Sequence, residues 1–392
     1  MANNKEGQSL REYENRKKRI KMRRRVIIGT TLLVLVVLGA TYLIRLYNRS
    51  FENYNVIRKT DITGSNAVGY IPYDGAVVKY SMDGATALDT DGSLLWNSSY
   101  EMSDPIADVS GKYVVIADRD GKSIHIFNKK GQIGNITTIY DIIKVEVASQ
   151  QGVVAALMQE ENGHRIILYD VDGTELSVIS TTANKDGYPL DISLSEDGEK
   201  LVTSYLSYSG GNLTNTISFY NFGEVGKNHT DRFVGGWSID DGSIMPRVTF
   251  VTNDVVCAYK DNGFILYSME ELPSQASDVV VEDKIKSVLY NDKYVGMVLQ
   301  KEGTSSKQLV IYDLKGNKVL NKELDYDYES IYFSGEEIIM YGKMSCLIMK
   351  TNGKVKFRGT FDSNIMALYS ANAIDKYYLA NEADLVEIQL KE

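Results

Sequence analysis

Histidine, tryptophan, cysteine and proline are all scarce in this chain of 392 residues, which holds 3 His, 2 Trp, 2 Cys and 5 Pro. Two cysteines cannot staple a body of this size, and the body is long enough to bury a core without staples. Cys257 in VVCAYK and Cys346 in SCLIMK lie in separate apolar runs, so they read as two buried thiols packing as small hydrophobes. His125, His164 and His229 lie far apart and offer no metal-ligand spacing. His125 in IHIF reads as a strand residue, and the other two read as loop residues. The chain has no G-x-S-x-G elbow and no Ser-x-Asp-x-Gly-x-Thr-Trp box, which removes the common signatures of hydrolytic chemistry. Long amphipathic helices are also missing after Ile44. Only SMEELPSQAS, Ser268 to Ser277, approaches a helical period, and Pro273 cuts it.

Charge is divided unevenly along the chain. Residues 1–25 carry +7 and the remainder −16, which together give the net −9. The basic block comprises Arg16, Lys17, Lys18, Arg19, Lys21, Arg23, Arg24 and Arg25. Directly behind it stands VIIGTTLLVLVVLGATYLI, Val26 to Ile44, without a single charge. As a helix this stretch is about 28 Å long, close to the hydrocarbon thickness of a bilayer. A cleaved signal peptide fits less well, because the basic region is long, the apolar run is too long, and Leu38 occupies the place of a small residue before Ala40. The positive-inside rule then puts the N-terminus in the cytoplasm. We therefore expect a basic cytoplasmic tail (1–25), a membrane span (26–44), a linker (45–53) and an extracytoplasmic body (54–392). The tail is expected to attract anionic lipid, at about 1 kcal/mol per basic residue, and not nucleic acid.

What the body does have is β-strand chemistry. Its short apolar or alternating runs are punctuated by Gly, Asn and Asp, and the chain holds 27 tyrosines, a residue type suited to pleated, half-buried surfaces. A phrase of strand, turn and strand recurs: ATALDTDGSLLW from Ala85, IHIFNKKGQIGNI from Ile124, IILYDVDGTEL from Ile166, ISFYNFGEVG from Ile217, FILYSMEELP from Phe264, LVIYDLKGNKVL from Leu309 and CLIMKTNGKVKF from Cys346. The period of roughly 42 residues matches a four-stranded propeller blade. An eighth phrase, LVEIQL from Leu385, has no partner strand behind it. The spare strand YNVIRKTDI, Tyr54 to Ile62, is placed to complete that last blade and so remove the sheet edges of an open array. The expected fold is all-β, an eight-bladed β-propeller with seven blades as the alternative.

ALDTDGSLLW, Ala87 to Trp96, resembles the repeat signature of the quinoprotein-like (PQQ-like) propellers. SLSEDGEKL, Ser193 to Leu201, is similar to the Ser-x-Asp-Gly turn of WD40-like and TolB-like propellers. With one N-terminal span, the layout resembles a family of membrane-anchored propellers from Gram-positive, clostridia-like bacteria. The repeat tryptophan survives only as Trp96. A quinone enzyme needs a tryptophan floor, a cation, calcium and a catalytic carboxylate at the ring centre, and Trp96 and Trp237 alone do not supply such a floor.

Asp89 to Ser93, Asp118 to Lys122 and Asp170 to Thr174 each pair two carboxylates ahead of or around a glycine, as a calcium loop does. None carries the further ligands of such a loop, and Asp-Gly is common tight-turn chemistry with both central residues at positive φ. The copy at Leu314 to Asn317 keeps the glycine and puts Lys315 where the second aspartate stood. These are expected to be turns, with no metal, no cofactor and no catalytic residue assigned. The segment Ser207 to Ser243 breaks the repeat and reads as an extended loop on one face, where propellers usually bind. Its Tyr208, Asn212, Trp237, Asp240 and Asp241 are the candidate partner-binding residues. The expectation is a non-catalytic scaffold that binds an envelope protein, with a small-molecule or glycan sensor, or an enzyme with an unrecognised site, as alternatives.

Overall fold

The computed structural model describes residues 3–62, 67–73, 75–89, 91–371 and 373–392, and within its N-terminal helix the side chains of residues 3–15, Lys18, Ile20, Leu43 and Leu46 lie outside the described residues. The chain forms two compact units that divide after Ser50.

The first unit is one continuous helix, α1, Asn3–Tyr47. The basic block and the apolar stretch lie on this same helix, since Glu, Lys, Arg, Met and Leu are good helix formers and no proline interrupts them. Its portion Lys21–Tyr42 is long and apolar enough to cross a membrane.

The second unit, Phe51–Glu392, is an eight-bladed β-propeller of four-stranded antiparallel blades. In chain order the blades are 1 (69–99), 2 (105–137), 3 (141–182), 4 (188–239), 5 (247–280), 6 (284–324), 7 (330–360) and 8. Blade 8 takes three strands from 367–391 and its fourth, outermost strand, Asn53–Asp61, from the other end of the chain. That strand pairs antiparallel with Asp384–Lys391, from Asn53 opposite Lys391 to Asp61 opposite Asp384, with a bulge between Val56 and Arg58. Arg58 and Lys376 both reach the nearly buried Glu387 carboxylate, at 2.9 and 3.1 Å. Lys59 meets Asp384 at 2.8 Å.

The core is a ring of apolar clusters, one in each gap between neighbouring blades. Val115, Ile126, Val154 and Ile167 fill the gap between blades 2 and 3, for example, and Val202, Phe219, Val256 and Tyr267 that between 4 and 5. Alternation along each strand sends one set of side chains to the blade before and the other to the blade after, so both faces of every sheet are buried. Trp96, the one repeat tryptophan, lies in the gap between blades 1 and 2, its ring stacked on Phe127 with centroids 4.8 Å apart and planes 7° apart.

The first strand of each blade is innermost and lacks a strand neighbour on its channel side, so its amides need other partners. Several find them on the preceding blade. The Val147 N–H donates to Asp108 at 2.8 Å, Val248 to Asp191 at 2.9 Å, and Phe250 to the Ser193 hydroxyl at 3.1 Å.

An antiparallel meander puts the turns between strands 1 and 2 and between strands 3 and 4 on one face of the ring. The turns between strands 2 and 3, and the links to the next blade, fall on the other. We call these the repeat face and the crossover face. The recurring phrase is the 3–4 turn and lies on the repeat face. There Asp170 Oδ1 accepts from the Asp172 and Thr174 amides at 3.0 and 2.8 Å. Asp313 Oδ1 does the same for Lys315 and Asn317, at 2.9 and 2.8 Å. In these two turns the first aspartate is the cap and the residue two positions on is not, which is why Lys315 can stand where Asp172 does. The expected tight hairpin with two positive-φ residues is corrected: Gly173 and Gly316 stand alone in the left-handed region, at 84° and 82°, and the register slips one residue beside each. The Asp118 to Lys122 turn is a different object, a 2–3 turn on the crossover face with Asp120 at φ 59°.

Candidate binding face

The candidate residues of the broken repeat are distributed through blade 4 in a way the sequence did not indicate. Ser207 to Ser243 is not one loop. Its first part extends a hairpin of two ten-residue strands, Lys200–Ser209 and Asn212–Asn221. Two short 3₁₀ turns, Val225–Asn228 and Thr230–Arg232, then run along the repeat face. The strand Phe233–Ile239 and the link 240–246 carry the chain back to the crossover face. Tyr208 and Asn212 at the hairpin tip therefore share the crossover face with Asp240 and Asp241. Trp237 stands apart, because it lies mid-strand against Phe219 and Tyr267, with ring centroids 5.5 and 5.0 Å away, and packs the gap to blade 5.

A buried polar network fixes the hairpin to the following link. The Asn215 amide donates to Ser204 Oγ at 2.9 Å and to the Tyr205 carbonyl at 3.1 Å, while its oxygen accepts from the Met245 N–H at 2.6 Å. Ser204 Oγ in turn donates to the Met245 carbonyl at 2.7 Å. Each group is satisfied inside the protein, so the network holds one geometry. Asp241 accepts the Ser243 hydroxyl and, at 2.8 Å, the Ser243 N–H, and these bonds lower its carboxyl pKa. Beyond this clamp the tip stands free, with Tyr208 74% exposed.

Residues just ahead of each innermost strand form the rim of the channel mouth on the crossover face. Four of these positions expose apolar or aromatic side chains: Val68 (45%), Ile139 (63%), Tyr188 (62%) and Met366 (42%), ahead of or opening blades 1, 3, 4 and 8. Tyr188 rests edge-on against buried His164, with centroids 5.7 Å apart. His164 itself is a strand residue of Gly163–Tyr169 and 2% exposed, which corrects its expected place in a loop. Burial lowers its pKa and keeps it neutral. Gly187 precedes the rim at φ 89°, and a Cβ there would meet the Leu206 carbonyl oxygen at 2.5 Å.

The channel wall of blades 2 to 4 holds a charged cluster that sequence reading missed. Lys144 Nζ lies 2.6 Å from Asp191, 2.8 Å from Glu146 and 2.8 Å from the Ile192 carbonyl. Burial opposes the ammonium charge, but Glu146 and Asp191 together outweigh it and raise the Lys144 pKa. Burial pushes the Glu146 carboxyl up to about 7, with Lys144 opposing, and burial raises Asp108 beside it. A cavity of about 370 Å³ lined by Asp108, Arg119, Lys144 and Glu146 adjoins the cluster. The visible signal was a charge inside strand-like runs, as in KVEV and LDIS, where an alternating strand would place an apolar side chain.

Among the described residues no group of three or more His, Cys, Asp or Glu side chains is arranged to hold a metal ion. Cys257 and Cys346 are buried and unpaired with each other, and burial raises both thiols, Cys346 to about 12.

The fold is an eight-bladed β-propeller of four-stranded blades. The chain belongs to the family of unknown function DUF5711, whose profile matches residues 47–390. Comparison with curated proteins finds no match. Among solved structures it is similar to BamB from Moraxella catarrhalis, with a TM-score of 0.53 and 12% identity over 86% of this chain and 100% of that one. A eukaryotic initiation factor aligns with a TM-score of 0.49 and 12% identity, over 82% of this chain and 83% of that one. Identities this low speak to the fold alone.

Proposed function

We propose that this protein is a membrane-anchored, extracytoplasmic propeller that works by binding a protein of the cell envelope through its crossover face, without catalysing a reaction. One observation carries the reading. Exposed Ile139, Tyr188, Val68 and Met366 gather around the channel mouth, with Tyr208 on a hairpin tip beside them. Grouped apolar and aromatic side chains on a polar surface mark interaction sites, and aromatic residues are the commonest anchors in them.

The anchor is α1. Its uncharged stretch and the basic block ahead of it favour an uncleaved span with the N-terminus inside, in keeping with the resemblance to membrane-anchored propellers of clostridia-like bacteria. Protease added to intact cells is expected to digest the body and spare residues 1–25; protection of the body would reverse the topology.

The binding reading is tested by placing a photo-crosslinking amino acid at Tyr188 or Tyr208 in cells, with Leu94 on the repeat face as control. One envelope protein captured from the first two positions and not from Leu94 is the expected result. Equal capture from all three, or none, would remove the reading.

A further inference from the structure

We propose that the partner presents a linear basic segment with apolar side chains, which lies across the channel mouth. This rests on the reading of the crossover face as the binding face and adds the chemistry and direction of the occupant.

The ring fixes the direction. In a closed ring of eight, blade 4 stands opposite blade 8 and blade 3 opposite blade 7. Tyr188, at blade 4, therefore faces Met366, at blade 8, across the mouth, while Val68 and Ile139, at blades 1 and 3, lie on the rim between them. Apolar side chains at both ends of a diameter, with two more along the rim on one side, suit an elongated occupant that touches both ends better than a compact one seated at either.

The charge comes from the other half of the rim. The links from blade 4 round to blade 7 carry Asp240, Asp241, Glu282, Asp325, Asp327 and Glu329, all exposed. Two of the cations in that arc are already engaged: Lys307 is 2.5 Å from Asp327, and Arg247 lies over the Tyr290 ring at 5.3 Å. Lys284, Lys301 and Lys343 remain as exposed cations on these links and turns, too few to balance the acids, which the turns extend with Asp261 and Glu302. An acidic flank beside apolar anchors selects a basic segment and speeds its approach at low salt. Tyr188 and Tyr208 also offer ring faces to lysine or arginine.

The test uses the full chain in phosphatidylcholine nanodiscs. The probes are a fluorescein-labelled peptide alternating lysine and leucine and its glutamate–leucine counterpart, read by anisotropy across a salt series. The lysine peptide is expected to bind at least about tenfold more tightly, and to weaken as salt rises. Tyr188→Glu and Met366→Glu should each weaken it about tenfold. Neutralising Glu282, Asp325 and Glu329 together to Gln, Asn and Gln should flatten the salt dependence. Leu94→Glu on the repeat face should change nothing, and unchanged melting temperatures would show that each variant is folded. Equal binding of both peptides, or indifference to Tyr188→Glu and Met366→Glu, overturns the proposal. The broader reading fails separately. A partner captured in cells at Tyr188 that neither salt nor the lysine peptide displaces leaves the binding module standing and removes the basic segment.

Discussion

At Glu146 one carboxyl sits where burial opposes its charge more strongly than Lys144 supports it, so its pKa rises from an ordinary value of about 4.3 to about 7. The sign follows. A carboxyl held above its unfolded value binds its proton more tightly in the folded state, so its contribution is full below about pH 4.3 and is lost as pH rises through about 7. The propeller is expected to melt progressively lower between pH 5 and pH 8, and Glu146→Gln to flatten that slope, measured by calorimetry across the range. A slope that persists unchanged in the variant would assign it to other groups. The turn aspartates give a second residue-scale expectation. Asp170→Ala removes an acceptor of two backbone N–H groups and should cost about 1–2 kcal/mol. Asp172→Ala accepts no comparable bond and should stay within about 0.5 kcal/mol. A melting temperature that rises on adding calcium and falls back with chelator would restore the metal reading that the turn geometry displaces.

At the scale of elements, the joint between blades 7 and 8 contains an ion pair deep in the protein. Lys356 is 1% exposed, and its ammonium donates to Glu337, to the Tyr377 hydroxyl at 2.7 Å and to the Ile374 carbonyl. Beside it the Phe51 N–H donates to the Lys356 carbonyl at 2.7 Å, so the start of the ordered propeller chain is fixed at this joint. Removing one member of such a pair strands the other, and Lys356→Met is expected to cost about 3–5 kcal/mol, whereas Lys356→Met with Glu337→Leu should recover much of that loss. Chemical denaturation of the two variants measures the difference. Equal losses in single and double variants would mean that packing, and not charge, sets the value.

Elements were also the scale at which the sequence was most readable. The repeated phrase has a period because each blade reuses one strand, turn and strand, and period-two alternation survives where both sheet faces are buried. The unpaired strand at Tyr54 was legible for the same reason, since an array with one strand short at its end and one spare at its start closes on itself. Sites were less legible. His164 read as a loop residue because ENGH looks like a turn, and the turn is in fact Glu161–Asn162, so tight that the strand begins at Gly163. Trp237 read as a loop residue because glycines precede it, yet Gly235 and Gly236 lie within the strand Phe233–Ile239. Lys144, Glu146 and Asp191 are brought together only by the ring, from strands with no local relation. The exposed rim of Ile139, Tyr188, Val68 and Met366 had no sequence signal, because an apolar residue ahead of a strand reads as core until the topology places it at an opening.

For the whole molecule, closure joins residues 53–61 to residues 384–391, and blade 8, like the others, packs one sheet face on each neighbour. Unfolding of the body is therefore expected to be one transition, and deletion of residues 384–392 to expose all blades to protease together, which limited proteolysis with mass spectrometry would show. Digestion confined to blades 8 and 1 would instead indicate blades that stand alone.

The same closure sets a timetable during synthesis. The strand that completes blade 8 leaves the ribosome first, and its partner strand follows more than 300 residues later. At about 5–20 residues per second, Asn53–Asp61 waits roughly 15–65 s as an open edge before Asp384–Lys391 exists to receive it. Throughout that interval the nascent ring has two unpaired edges, so the yield of folded protein should depend on whatever shields them while the chain is being made.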